Sequence, residues 1–443
     1  MIAHYSNSSQ HTSYKDIYTN MPILTVFYIK LFINLGLTLG IFWVISRSDL
    51  FAKWQLQKEK LVFAAGFVIL RLIPWIGIFL IINEDPRGDI PFFFYKAEAA
   101  KAGGFVYRDF WSYHAPLYAY IISIPVWIWH NSRAIVLFMV LMESAILWLT
   151  YKTYKPKSTR ALQYAMIYLL LPAGFMYILV DGQEEVWFWG AALLIWRYTI
   201  KHKDNYEVGA GLLFALTLLT IKVTFIFLLP AILVVVKKPV KMLLVMAAVG
   251  IPAVGFLYWQ IGDLFLMPIQ HTEQLMTPNL FSISRPFVEL FIHINEKKST
   301  MINWIGLLFT VFIPAYMAFK ARHRHISEIL PGIFIAVFVC MMIFQASAMG
   351  AYLIAYLMAV LFDVIDIRKT WHVIVLLAVN WLTVVQPFVW VYIHQPSYTS
   401  FGMFGNLSNL FEYVLQILNV LCFIWILRKT YNNVVHPEKL AVA

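Results

Sequence analysis

Charge is scarce in this chain. Asp, Glu, Lys and Arg together make 13% of its 443 residues, about half of what soluble domains carry, while hydrophobic residues make 61%. Such a chain does not fold as a soluble domain, so its solvent is lipid. Cysteine is scarcer still: Cys340 and Cys422 are the only two, and both fall inside apolar runs, which excludes a disulfide framework and a cysteine-based metal cluster. Acidic residues number 23 against 34 basic ones. The basic excess forms no continuous face but sits in short loops between apolar runs, which excludes a nucleic-acid surface and reads as a topology signal. Internal repeats are missing, and with them the paired halves of many transporters. Residues 1–20 lack the basic start, short apolar stretch and small-residue cleavage site of a signal peptide, so the first hydrophobic run is expected to be a retained helix. No soluble domain is expected at either end.

What the chain does have is a series of apolar runs of roughly 17 to 25 residues, the length that spans a bilayer as a helix. They recur from residue 21 to residue 428. Backbone groups in hydrocarbon must pair internally, so the spanning elements are helices, and Lys/Arg-rich loops belong in the cytoplasm. The basic loops are 47–60, 151–160, 197–203, 237–241, 320–324, 368–369 and a tail with Arg428, Lys429 and Lys439. They share one side only if one apolar segment fails to cross. That segment is 117–130, which is short and contains Pro125. Thirteen helices are expected, near 22–45, 61–82, 132–151, 162–178, 184–200, 208–221, 223–236, 243–262, 301–319, 327–348, 350–365, 372–392 and 410–428. The N-terminus lies outside and the C-terminus inside, leaving two long external segments, 83–131 and 263–300.

The first external loop concentrates Glu84, Asp85, Asp89, Glu98 and Asp109 beside Arg87, Lys96, Lys101 and Arg108. After a helix end it continues as an amphipathic stretch, turns at Gly103 and Gly104, and returns to the membrane through aromatic residues, as an interfacial segment does. An Asp (Asp89) precedes Tyr95, Ala99, Gly104, Tyr107, Tyr113 and Pro116 within this loop, and VYRDFWSYHAPL follows the turn. In this arrangement the chain resembles the GT-C superfamily of integral-membrane glycosyltransferases, and within it the polyprenyl-phosphate-mannose-dependent mannosyltransferases. DGQEE at 181–185 is similar to a Gly-Gln pair of the same families, with Glu184 and Glu185 where an Asn often stands. Lys222 matches a lysine set between two short apolar helices. The resemblance covers roughly residues 61–240.

The resemblance implies an all-α GT-C fold: one transmembrane domain over 1–443, with a catalytic module at 22–240 and C-terminal helices at 241–443. It implies transfer of a sugar, mannose by default, from a polyprenyl-phosphate donor to a glycolipid, polysaccharide or protein acceptor on the external face. The membrane is expected to be a prokaryotic plasma membrane, with the endoplasmic reticulum as the alternative; no metal or cofactor is expected. Asp89 is implied as the base that takes the acceptor proton, with Asp85 and Asp109 as alternatives. Its other readings are a solvated loop carboxylate or a helix N-cap, and Asp109 beside Arg108 also reads as a structural ion pair. Substrate contacts are implied for Tyr95, Tyr107, Tyr113, Gln183 and Glu184. Cations near the departing phosphate would be Lys222, Arg108 and Arg285. An ionisable group between apolar helices costs roughly 2.5–3.5 kcal/mol on insertion scales, so Lys222 either faces a polar cavity or partner, or snorkels to the interface. Asp181 and Glu184 either orient Lys222, bind a cation or cap a helix.

On the second external loop, His271, Glu273, Arg285 and His293 are candidates for substrate contact, too loosely spaced for a metal site. Arg71 and Lys30, inside apolar runs, read as paired or snorkelling charges. Two other classes fit parts of the pattern. A transporter would use Lys222 as part of a broken helix, and a glycan ligase or polymerase would carry its large loop late in the chain, whereas the acids here come early.

Overall fold

The computed structural model describes residues 23–269, 275–393 and 397–437. Among them there is no β-strand, only an isolated bridge between Val106 and Phe110. Eight helices are long and apolar enough to cross a membrane: Phe27–Ser46, Glu59–Ile81, Ser132–Lys157, Pro239–Ile269, Lys298–Lys320, Ile326–Phe344, Thr370–Tyr392 and Leu407–Val435. A ninth span is formed if Ala161–Leu170 and Pro172–Val180, bent by 55°, act as one. The bend has a local cause: Leu171 precedes a proline and takes an extended conformation, with ψ 127°, because the proline ring excludes the helical region for its neighbour. The chain is thus an all-α, polytopic membrane protein.

Helices stand at all thirteen expected positions, but four of them fall short of spanning length by themselves. These are Val186–Lys201, with 16 residues, and the shorter apolar helices Glu207–Thr220, Val223–Val235 and Gly350–Asp363. The segment expected not to cross forms the 11-residue helix Tyr118–Ile128, with Pro125 inside it. Ile326–Phe344 is the central helix: 89% of its apolar window is buried, and it packs against Glu296–Lys320, Val186–Lys201 and Leu407–Val435. A helix that is apolar all round is a core helix.

Contacts between loops sort the chain into two ends. At one end Glu59 binds Lys152 and Lys155, Gln55 binds the Ser158 carbonyl, Tyr164 donates to the Ile365 carbonyl, and His325 meets the Lys203 carbonyl. Arg324 donates to the Val434 carbonyl, and Lys237 pairs with Asp204. The described basic loops therefore gather at one end, as their charge required. At the other end Arg133 reaches the Asn83 carbonyl, and the first acidic loop meets 181–185 and 221–222. Glu59–Ile81 and Ser132–Lys157 run from one end to the other.

Between the ends, Arg71 is fully buried against Glu143. Its Nε and Nη2 donate to the two carboxylate oxygens at 2.7 and 2.9 Å, and its Nη1 donates to the Leu169 carbonyl at 2.7 Å. Arg71 lies in a π-helical turn, Val68–Leu72, a local widening that often marks a special side-chain requirement. Of the two readings of Arg71, pairing is the one the fold uses. A bidentate, doubly buried pair is costly to break from one side, because the survivor is left charged in a medium that cannot solvate it.

Two predictions follow from this frame. Arg71→Met is expected to lower stability by about 3–5 kcal/mol, measured as unfolding in detergent, and Arg71→Met/Glu143→Leu to recover most of that loss; a double variant no better than the single would show that the pair is not the reason. In a cysteine-free background, Asp85→Cys and Arg108→Cys are expected to react with an impermeant thiol reagent from the side opposite to Lys157→Cys and Lys369→Cys. Labelling of all four from one side would refute the two-ended arrangement.

Candidate functional site

Three stretches far apart in sequence meet at the acidic end: the loop and helix from 83 to 117, the turn 181–185, and the break at 221–222 between Glu207–Thr220 and Val223–Leu228. The backbone stitches them together. Ala115 N–H donates to the Ile221 carbonyl at 3.0 Å and Leu117 N–H to the Leu219 carbonyl at 2.9 Å. Two glycines in the left-handed region let the loops close on each other. A Cβ on Gly182 (φ +63°) would sit 2.3 Å from Ile90 Cδ1, and one on Gly88 (φ +63°) 3.4 Å from the Asp181 carbonyl; only glycine meets both demands without strain.

The side chains at this junction form a buried chain of ionisable groups. Lys222 Nζ lies 2.6 Å from Glu184 Oε1 and 2.7 Å from Glu185 Oε1. Glu184 Oε1 also lies 2.7 Å from His114 Nε2, and His114 Nδ1 is 3.1 Å from Lys96 Nζ. Both glutamates, His114 and Lys96 are buried, and the Lys222 side chain keeps 16% exposure. Aromatic rings wall the chain in. Tyr118 stacks on the His114 ring at 4.0 Å, Lys96 sits 3.9 Å above Phe92, and Lys222 lies 5.6 Å from the centre of the Tyr352 ring.

Burial decides the protonation states of the groups on the loops. It pulls Lys96 down to about 7 against the attraction of Glu184. Burial and the nearby Lys96 hold His114 down to about 3, so the imidazole is neutral. A charged Lys96 has only protons to give, so His114 Nδ1 accepts and Nε2–H donates to Glu184. Burial also opposes charge on Glu184, but Lys222 and His114 outweigh it and hold Glu184 ionised. Glu185, pushed up by burial and then by the neighbouring Glu184, rises to about 7.

Asp89 stands at the edge of this chain, exposed, at the N-terminus of helix Ile90–Lys101. Although it holds the N-cap position, its side chain makes no capping hydrogen bond. Gln183 Nε2 donates to Asp89 Oδ2 at 3.0 Å instead, which orients one carboxylate oxygen and leaves the group open. Asp85 lies beyond it, 94% exposed, with Arg133 at 3.3 Å. Asp109 is paired with Arg108 at 2.9 Å on the surface. The hydrogen bond from Arg108, with that from the Phe105 backbone, holds Asp109 at about 2, too weak a base to compete near neutral pH.

Of the remaining candidates, Tyr107 is buried, and its hydroxyl donates to the His114 carbonyl at 2.5 Å, so it supports the histidine from behind. Its φ of +68° is uncommon for a tyrosine. Tyr95 is 52% exposed on the helix, and Tyr113 is exposed with its ring against Trp111. Arg285 pairs with Glu289 at 3.1 Å on the second loop and donates to Ser397, beyond helix Thr370–Tyr392, at 2.5 Å; neither partner is part of the Lys222 junction. His293 likewise meets Glu289. His271 and Glu273 lie outside the described residues. Among the described residues no group of three or more His, Cys, Asp or Glu could hold a metal ion.

Beside the junction lies a cavity of 250 Å³, lined almost wholly by apolar groups, among them Tyr107, Pro116, Leu219, Val223, Leu257 and Phe265. Ala115, Pro116 and Val223 adjoin His114 and Lys222 in sequence, so the cavity is lined by the same backbone stretches that carry two members of the charged chain, with none of the charged side chains on its lining. Sequence reasoning did not single out His114 or Lys96 as site residues. A histidine just before the apolar run 115–128 and a lysine directly after the aromatic run Phe92–Tyr95 were the available signals.

Comparison of the chain with family models, with curated proteins and with solved structures returns no match. The site is therefore read from its own chemistry. Lys222→Met is expected to cost about 3–5 kcal/mol by leaving two buried carboxylates uncompensated, measured by thermal unfolding in detergent. Adding Glu185→Gln should return part of that loss, whereas equal stability of Lys222→Met and wild type would mean that the lysine does not neutralise the pair.

Proposed function

We propose that the chain is a membrane-embedded glycosyltransferase of GT-C type, which transfers a sugar, mannose first among them, from a polyprenyl-phosphate donor to an acceptor hydroxyl. The observation that carries this reading is the adjacency of three features. An open, oriented carboxylate (Asp89, held by Gln183) belongs to the same junction as a largely buried cation (Lys222, held by Glu184, the residue after Gln183), and an apolar cavity is lined by Val223, the residue after Lys222. Together they match the three parts of the reaction: base, phosphate and lipid. The acceptor oxygen attacks the anomeric carbon while its proton passes to Asp89. The bond from the anomeric carbon to the phosphate oxygen breaks, and its electron pair leaves with the lipid phosphate. That phosphate departs as an anion, so the step needs a nearby cation more than an acid.

In this reading all thirteen helical positions cross or dip into the membrane, with the basic end cytoplasmic and the acidic end external. The membrane is a prokaryotic plasma membrane, and the acceptor is a glycolipid, polysaccharide or protein. A second reading has its own support. A buried string of lysine, histidine and glutamates at a helix break is also what an ion-coupled transporter places along its pathway.

One assay separates the two. Purified protein in nanodiscs is incubated with polyprenyl-phosphate-mannose and membrane lipid extract, and donor loss is followed by mass spectrometry. Wild type is expected to consume donor, and Asp89→Asn to lose about 10²–10⁴-fold in rate while remaining folded. Full activity in Asp89→Asn would sink the assignment of the base. Solute flux in sealed vesicles with no donor consumed would favour the transporter.

A further inference from the structure

Lys222 cannot meet a phosphate as it stands, because both of its described ionic partners are carboxylates of the protein. The two are held differently. Glu184 is fixed by Lys222 and by His114, which Lys96 and the Tyr107 hydroxyl in turn hold in place. Glu185 is held by Lys222 alone, through Oε1, whereas Glu184 Oε1 meets both Lys222 and His114; the Oε2 of each is buried without a hydrogen-bond partner. An anion arriving at Lys222 must displace one of these carboxylates, and Glu185 is the one with a single tether.

We propose that Glu185 is a resident counter-ion that competes with the ligand's phosphate for Lys222 and gives way by taking a proton from solvent when the phosphate binds. Glu184 stays in place as the permanent anchor of the lysine. This inference rests on the reading of the site as one for a lipid phosphate, and it names Glu185 as the residue that sets affinity there. A carboxylate left beside a bound phosphate as an anion would be repelled at close range in a poorly solvated site. Protonation removes that repulsion and supplies a hydrogen-bond donor to the phosphate. Burial together with the charge on Glu184 already brings Glu185 up to about 7, so the proton is within reach near neutral pH.

The titratable groups that face Glu185 are Glu184 beside it, Lys222 from the break, Tyr118 from the helix Tyr118–Ile128, and Tyr352 from the turn Gly350–Leu353. Beyond Glu184 stand His114 and Lys96, and Asp89 lies at the edge. Of the groups on the loops, Lys96 also titrates near 7, and its loss of charge weakens anion binding in the same direction. A wild-type pH profile therefore contains both groups, whereas the difference between wild type and Glu185→Gln isolates one. The sign is definite: affinity is highest where Glu185 is protonated, below about 7, and falls as pH rises through that range.

The test is equilibrium binding of short-chain polyprenyl-phosphate-mannose, a phosphodiester of constant charge, to the full chain in nanodiscs from pH 5.5 to 8.5, with the matching uncharged polyprenol as control. Glu185→Gln is expected to bind about tenfold tighter than wild type at the upper end of the range and to show a shallower pH dependence. Glu184→Gln is expected to bind more weakly, since the lysine loses its anchor. Calorimetry of wild type in buffers of different ionisation enthalpy should show net proton uptake near pH 7, a readout that does not depend on any variant folding. Equal affinities and slopes for wild type and Glu185→Gln, equal tightening by Glu184→Gln, or binding without proton uptake would each overturn the role of Glu185 while leaving the donor site standing. Binding of polyprenol as tight as that of the phosphodiester, or no binding of either, would overturn the donor reading and this inference with it.

Discussion

A lysine buried at a break between two apolar helices must be neutralised, and Lys222 is neutralised twice, at 2.6 and 2.7 Å. Taking an ammonium and two carboxylates out of water costs several kcal/mol for each ion, recovered only when the geometry is close and the remaining hydrogen-bonding capacity is met. None of the three stretches at the junction can meet that cost alone. The turn 181–185 brings the acids, the break at 221–222 brings the cation, and the loop before Tyr118 brings the histidine that adds a second contact to Glu184 Oε1. Docking them against one another neutralises the charges and assembles the site in the same event. Fold and site at this end of the bundle are one construction.

Backbone strain follows from that construction. Gly88 and Gly182 take left-handed conformations where the two loops touch, and Tyr107 does so with a full side chain. A non-glycine residue in that region costs of order 1–3 kcal/mol. Tyr107 is held there by its N–H on the Phe110 carbonyl and its hydroxyl on the His114 carbonyl. That conformation accompanies the placement of the phenol behind the histidine, so the imidazole is supported from the backbone side as well as by its two ring nitrogens.

Much of this was legible in the sequence, and what was not has physical reasons. The apolar runs located all thirteen helical positions, because hydrophobicity along the chain is local information. Hydropathy alone did not show that four of them stop short of a full span, since a helix sheltered by its neighbours has no need to reach both surfaces. Lys222 stood out as a charge between two apolar runs. His114 and Lys96 did not, because their importance lies in partners that no local pattern reveals: Glu184 is 70 residues from His114. The same distance problem hid Glu143, 72 residues from Arg71. Arg108 beside Asp109 was visible in the sequence as an ion-pair partner; that Gln183, 94 residues away, orients Asp89 was not.

The length of one helix sets the depth of the site. Glu207–Thr220 has 14 residues, about 21 Å at 1.5 Å per residue, against a hydrocarbon core of about 30 Å. It starts at the basic end and stops at the break that carries Lys222, so if it enters the bilayer from that end, as proposed above, the ammonium would lie beneath the opposite surface of a bilayer of ordinary thickness. A lipid phosphate of the kind proposed above would have to sink below its neighbours to reach that depth, or the leaflet would have to thin around the protein to meet it. Either deformation would have an energy set by hydrophobic mismatch, so on the proposed reading the thickness of the surrounding membrane would bear on how readily the donor reaches the lysine.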